Sequence, residues 1–171
     1  MNELMITLRL IYIFFGVLWA GWTFSMALFI EPAGRMAGPA SGPFMQALAG
    51  RTPLIKYMLA SPLLVVSSGL WLLWIVSGGF DIDWMATTHG AVLMIGSISG
   101  LSAFVFGFLV MRPASQRMGA LAAEIGATGG SPTPDQILEL SDVRERLGKG
   151  GRIAAGLLLV AVVVMAVTRY V

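Results

Sequence analysis

The chain has 171 residues, of which 57% are hydrophobic and 12% are charged, and its formal net charge is +2. Because soluble domains are about half apolar and about a quarter charged, this composition excludes an ordinary soluble domain and predicts one integral membrane domain over residues 1–171. The small, scattered positive charge argues against nucleic-acid binding, and the absence of cysteine excludes disulfides and thiolate metal sites.

Four apolar stretches are the predicted membrane spans, and they cover about residues 5–30, 57–80, 84–111 and 153–169. A transmembrane helix needs about 17–25 residues, and the first three stretches reach that length. The uncharged part of the fourth, Ile153 to Thr168, has only 16 residues, but the long side chains of Arg152 and Arg169 that flank it can extend to the two membrane surfaces. The sequence therefore predicts an all-α fold, a four-transmembrane-helix bundle.

The first connection contains four prolines, which exclude one continuous helix through it. A short helix is predicted from Pro43 to Ala49, because proline is favoured at the first helical position and Gly50 follows its end. Its apolar side, predicted to lie on the membrane surface, consists of Phe44, Met45 and Leu48.

Small residues recur at helical spacing in the first and third spans. They are Gly16, Ala20, Thr23 and Ala27 in the first span and Gly96, Gly100, Ala103 and Gly107 in the third. Because small residues let membrane helices approach closely, the two stripes are predicted to pack against each other or against a partner chain. His89, the single histidine, shares the face of Gly96 and is predicted to point into the bundle.

The third connection, residues 112–152, is predicted to form a cytoplasmic helical hairpin between the third and fourth helices. Its first helix continues from the third span, with a possible break at Pro113. Its second helix begins with Thr133 as N-cap and Gln136 three residues later, which is a capping-box pattern. The apolar stripe expected on this second helix consists of Ile137, Leu140, Val143 and Leu147.

Basic residues predict the orientation of the bundle. The first and third connections hold nine of the eleven lysines and arginines, and the second connection holds none. Cytoplasmic loops of membrane proteins are enriched in basic residues. We therefore expect a multi-pass protein of the bacterial inner membrane with both termini outside.

Few polar residues of the spans are candidates for a binding site. His89, Tyr12 and Arg9 are predicted to lie near the outer surface, together with Arg169, and could bind haem, a quinone or a lipid headgroup. One histidine cannot supply both axial ligands of a bis-histidine haem. The alternative is that the arginines extend to the membrane surface and that His89 bonds a backbone carbonyl. We predict no metal site and no catalytic residues.

Several stretches of the chain resemble a family of small bacterial four-helix membrane proteins that are loosely called CopD-like. They are LIYIFFGVLWAGWTFSMALFIEPAGRMAGP, SGLWLLW, FVFGFLVMRPASQRMGAL and PTPDQILELSDVRERLGKGGRI, in that order. The resemblance covers most of the chain and implies the four-helix fold. The family's first span tends to read LHIVFGVLWAG, and Tyr12 stands here at the position of that histidine, so the resemblance implies no haem-ligand role.

These features predict a non-catalytic integral membrane protein, an accessory or structural subunit of a homo-oligomer or of a larger respiratory or photosynthetic complex. Its expected partners are membrane lipids and other membrane protein subunits. The alternative is a haem- or quinone-binding redox protein that uses His89, with Tyr12 and Arg9 beside it. The third hypothesis is a small transporter or channel. The sequence does not favour it, because it shows no charge near the middle of the membrane and no evident inverted repeat.

Overall fold

A computed structural model describes residues 3–128 and 132–170, and this part of the chain is helical with no β-strand. Single-turn 3₁₀ segments cover Gly38–Ala40 and Thr168–Tyr170. We number the helices α1 (Glu3–Ala37), α2 (Ser41–Arg51), α3 (Leu54–Val76), α4 (Ile82–Met85), α5 (Thr88–Ala127) and α6 (Pro134–Val167).

Four of these helices, α1, α3, α5 and α6, are long and apolar enough to cross a membrane. This confirms the predicted all-α bundle of four such helices. At about 1.5 Å per residue, α1, α5 and α6 are each about 50–60 Å long, whereas a hydrocarbon core is about 30 Å thick. Their extra length lies at one end of the bundle, with α2 and the connection between α5 and α6. We call this the hairpin end, and the end with Gly78 to Asp83 the turn end.

The four long helices form two tightly packed antiparallel pairs. Helix α1 packs along α3, and α5 packs along α6. The pairs are joined by smaller contacts between α1 and α6 and between α3 and α5. Helices α1 and α5 therefore occupy opposite corners of the bundle.

Three prolines, Pro32, Pro62 and Pro113, lie inside long helices without ending them. Before Pro32 and Pro113 the helix widens into a π turn, at Met26–Ile30 in α1 and at Gly107–Met111 in α5. The backbone N–H of Glu31 donates to the carbonyl of Met26, and that of Arg112 donates to the carbonyl of Gly107. Proline normally clashes with the carbonyl four residues earlier. The wider turn accommodates it, so α1 continues through Pro32 and α5 shows no break at Pro113.

Helix α6 also continues through the glycine-rich stretch at residues 148–151, between the hairpin and the fourth apolar span. Gly148 lies against the Glu31 and Arg35 side chains of α1, and Gly150 lies against Met111 of α5. A side chain at either position would overlap those neighbours. The glycines therefore leave room for these side chains of α1 and α5, and one helix forms both the hairpin arm and the span.

The predicted helical hairpin is present, and it consists of the extensions of α5 and α6 beyond the apolar spans. Leu121 and Val143 are buried in it, at 1% and 7% exposure. Thr133 and Gln136 form the predicted capping box at the start of α6. Ile137 of the predicted apolar stripe is exposed, so the hairpin buries only part of that stripe.

The shorter helices complete the two ends. Helix α2 spans Ser41–Arg51 rather than the predicted 43–49, and its Phe44 is exposed while Met45 and Leu48 are half-buried. At the turn end, Asp81 caps α4 by accepting a hydrogen bond from the Asp83 N–H (2.9 Å). Thr87 likewise caps α5 through the Gly90 N–H (3.1 Å).

Candidate functional site

Tyr12 lies where side chains from all four long helices meet. Its hydroxyl donates a hydrogen bond from α1 to the Sδ of Met165 on α6 (2.8 Å). Its ring lies against Gly69 of α3, where an added Cβ would be 2.9 Å from Tyr12 Cε2. Met165 in turn lies against Gly96 of α5, where an added Cβ would be 3.1 Å from Met165 Cγ. Two glycines thus make room for two large side chains at one level of the bundle.

This four-helix junction is chemically a packing site. A buried phenol needs an acceptor, and a thioether sulfur is a weak one. The hydroxyl of Tyr12 is therefore already engaged inside the chain. Sequence reasoning identified Tyr12 and Gly96 but missed Met165 and Gly69, because nothing in the pattern specifies which residue of a neighbouring helix lies opposite.

His89 lies at the start of α5, at the turn end. Its ring is half-buried and 6.2 Å from the ring of Trp84, in an edge-to-face arrangement. The next residue, Gly90, is buried against the backbone of Trp84 and Met85. The short helix α4 therefore supplies an aromatic neighbour of the histidine through Trp84.

The structure does not join the three predicted binding residues into one site. Arg9 is exposed on α1, three residues before Tyr12, whereas His89 is on α5 at the opposite corner. Within the described residues, no hydrogen bond or ion pair links Arg9, Tyr12 and His89 to one another. The side chain of Arg169 lies outside the described residues.

The two stripes of small residues have different surroundings. On α5, Gly96 lies against Val164 and Met165. An added Cβ on Gly100 would lie 3.9 Å from the Cβ of Ala161, and Ala103 is buried. This stripe therefore faces α6 and not α1. The remaining glycine of that stripe, Gly107, has open space beside it.

On α1 the stripe is closed only at its hairpin end. Ala27 is buried, Ala20 and Thr23 are half-buried, and the Thr23 hydroxyl donates to the carbonyl of Trp19 (2.8 Å). An added Cβ on Gly16 would meet no atom within 4 Å. The α1 stripe is therefore only partly covered by the chain itself.

Tryptophans of the long apolar helices have two kinds of surroundings. The Nε1 of Trp22 is buried and has no hydrogen-bond acceptor among the described residues. On the outer face of α3, a shallow open depression is lined by Ser67, Leu70, Trp71 and Trp74. Both of its tryptophans are more than half exposed, as expected for an aromatic belt at a membrane surface.

Ion pairs organise the hairpin. The guanidinium of Arg117 on α5 donates to both carboxylate oxygens of Glu139 on α6 (2.6 and 2.9 Å) and also bonds Glu124 (3.2 Å). The hydrogen bond from Arg117 lowers the pKa of Glu139 below its usual range. The hydrogen bond and charge of Lys149 lower the pKa of Glu145 in the same way, with a smaller attraction from Arg35.

The described residues contain no cluster of three histidine, aspartate or glutamate side chains that could hold a metal ion. Comparison of the chain with protein-family models, curated proteins and solved structures finds no match. Its function has to be argued from its own geometry.

Proposed function

We propose that this chain is a non-catalytic integral membrane subunit of the bacterial inner membrane. It packs against another membrane chain, in a homo-oligomer or in a larger respiratory or photosynthetic complex. The observation that carries the proposal is the α1 stripe, which has open space at Gly16.

The physical reason is that lipid tails are as apolar as the side chains they touch. Association of membrane helices therefore depends on close backbone approach, which small residues allow. The α5 stripe uses Gly96 and Gly100 in this way, against α6. On α1, an added Cβ on Gly16 would meet no atom within 4 Å, and we infer that a helix of a partner chain packs beside this residue.

Paired substitutions on α1 test this proposal. An added Cβ on Gly16 or on Gly21 would meet no atom within 4 Å, so we expect the single chain to tolerate leucine at either position. They lie on different faces of the helix. We expect the wild type, extracted from native membranes in mild detergent, to be larger than one 18.2 kDa chain. Gly16→Leu should dissociate it, and Gly21→Leu should not.

Two outcomes would overturn the proposal. One is a strictly monomeric wild-type protein with no copurifying chain. The other is an assembly that both variants leave intact, or that both variants disrupt equally. The resemblance to CopD-like membrane proteins stays a prediction and adds no activity to this proposal.

A redox function would require one ligand to reach His89, Tyr12 and Arg9. Arg9 and Tyr12 lie on α1 and His89 lies on α5 at the opposite corner of the bundle, and the Tyr12 hydroxyl is engaged by Met165. We expect no Soret band in the visible spectrum of protein purified from native membranes. A Soret band that is lost in His89→Ala would replace the subunit proposal with a haem protein.

A further inference from the structure

Basic side chains without an acidic partner form a layer at the hairpin end. Lys56 directly precedes the apolar run of α3, Arg112 directly follows that of α5, and Arg152 directly precedes that of α6. All three side chains are exposed. Among the described residues none of them has a carboxylate within ion-pair distance.

Of the four cations in the hairpin, Arg144 has no carboxylate within ion-pair distance among the described residues, and the other three behave differently from the layer. Arg117, Arg146 and Lys149 each pair with a carboxylate of the hairpin. Residues 113–149 contain four basic and five acidic residues, so their formal charge is −1. The hairpin therefore neutralises its own charge, whereas the layer beside the spans keeps its positive charge.

Two of the unpaired cations lie close to the same helix contact. Gly150 of α6 packs against Met111 of α5, so Arg112 and Arg152 are within about one helical turn of each other along the bundle axis. The guanidinium of Arg112 lies 5.0 Å over the ring of Phe108. The Nε of Arg152 donates to the carbonyl of Gly148 (3.3 Å). Both side chains are held near their helices with terminal N–H groups left to donate.

We propose that Lys56, Arg112 and Arg152 bind the phosphate headgroups of anionic phospholipids, and we call these three residues the boundary cations. The inference rests on the membrane embedding in the proposed function. Ends of apolar spans lie at headgroup depth, and a guanidinium matches the geometry of phosphate. A headgroup with a net negative charge compensates the boundary cations, whereas a zwitterionic headgroup leaves them uncompensated.

Native mass spectrometry of the full chain, titrated with phosphatidylglycerol or phosphatidylcholine of the same acyl chains, tests this assignment. The test variant is K56Q/R112Q/R152Q. The matched control R144Q/R146Q/K149Q removes the same charge from the hairpin. We expect the wild type and the control to prefer phosphatidylglycerol, by roughly fivefold for each cation that one phosphate contacts. The test variant should bind the two lipids equally.

The assignment is overturned if the test variant keeps the preference or if the control loses it as well. It is also overturned if glycerol phosphate displaces the bound phosphatidylglycerol, because the residues would then bind free phosphate and not a lipid. Should the triple variant fail to fold, the single variants R112Q and R152Q are each expected to reduce the preference several-fold.

These outcomes separate the lipid surface from the subunit proposal. A monomeric protein that prefers phosphatidylglycerol contradicts the subunit proposal and supports the lipid surface. An oligomer that binds the two lipids equally supports the subunit proposal and contradicts the lipid surface. A chain that is released from membranes without detergent contradicts the embedding on which both depend.

Discussion

At the scale of single residues, Tyr12 shows how a polar group is accommodated among apolar helices. Its hydroxyl donates to the Met165 sulfur, and its ring occupies the space left by Gly69. Hydrogen bonds between helices in membranes average about 0.6 kcal/mol. The packing of its side chains therefore stabilises the four-helix junction more than its hydrogen bond does.

Tyr12→Phe removes only the hydroxyl, so we expect it to lower the free energy of unfolding by about 0.5–1 kcal/mol. Titration of detergent-solubilised protein with sodium dodecyl sulfate, followed by circular dichroism, measures the change. Tyr57→Phe is the control, because Tyr57 is exposed on α3. A loss in Tyr12→Phe that persists unchanged in a Met165→Leu background would show that the Met165 sulfur is not its partner.

At Gly90, a larger residue would overlap backbone atoms and not the end of a flexible side chain. An added Cβ would overlap the carbonyl of Trp84 and lie 3.0 Å from the Cα of Met85. Gly90→Ala should therefore destabilise the protein by about 1–3 kcal/mol.

Gly119→Ala is the opposite case on the same helix, since Gly119 is exposed with open space around it. Alanine should stabilise the helix there by about 0.5–1 kcal/mol. Thermal unfolding in one detergent compares both variants. If Gly90→Ala and Gly119→Ala shifted the unfolding temperature equally, that result would contradict the close contact between α4 and α5.

At the scale of helices, composition and periodicity were enough for the number of helices long and apolar enough to cross a membrane, for the capping box and for the helical hairpin. Each depends on residues close together in sequence, such as Thr133 and Gln136. The neighbours of the α5 stripe were not predictable in the same way. Gly96 and Gly100 determine which face of α5 approaches another helix closely, but that face is equally compatible with α1, α6 or a partner chain.

The prolines show a second limit of local reasoning. Pro32 and Pro113 are strong signals for a helix end or kink. Each is instead preceded by a π turn, in which a backbone N–H donates to the carbonyl five residues earlier and not four. Continuing past the proline is favourable because the α1 extension packs against α6 at Gly148, and the α5 extension packs along the hairpin arm of α6. Such tertiary contacts are not visible in the sequence around the proline.

The hairpin should lose stability in acid because its carboxylates are paired. The folded pKa of Glu139 is depressed by Arg117, so its contribution is fully present above the unfolded pKa of about 4.3. That contribution is lost as the pH falls through the lower, folded pKa. Glu145 behaves in the same way beside Lys149.

We therefore expect the thermal midpoint of the wild type to fall between about pH 5 and pH 3, and less steeply in Glu139→Gln. Glu3→Gln is the control, since Glu3 lies at the start of α1, far from the hairpin. The same steepness in the wild type and Glu139→Gln would show that this ion pair does not stabilise the hairpin.

At the scale of the whole molecule, charge is distributed unevenly along the bundle axis. Nine of the eleven basic residues lie at the hairpin end, and the turn end between α3 and α5 carries Asp81 and Asp83 with no basic residue. Because positively charged connections stay in the cytoplasm during insertion, the hairpin is expected inside the cell and the turn outside. The boundary cations would then face the more negative leaflet of the membrane.

The lack of cysteine makes this orientation directly measurable with single-cysteine variants. Leu138 of the hairpin is 70% exposed and Ile82 of the turn end is 77% exposed, so cysteine at either position is accessible without disturbing a core. A membrane-impermeant maleimide should label Ile82→Cys in intact bacterial cells whose outer membrane is permeabilised, and Leu138→Cys only after the inner membrane is broken. The reverse pattern would place the hairpin outside. Labelling of both positions in intact cells would contradict an odd number of crossings between them, because α5 alone separates residue 82 from the hairpin.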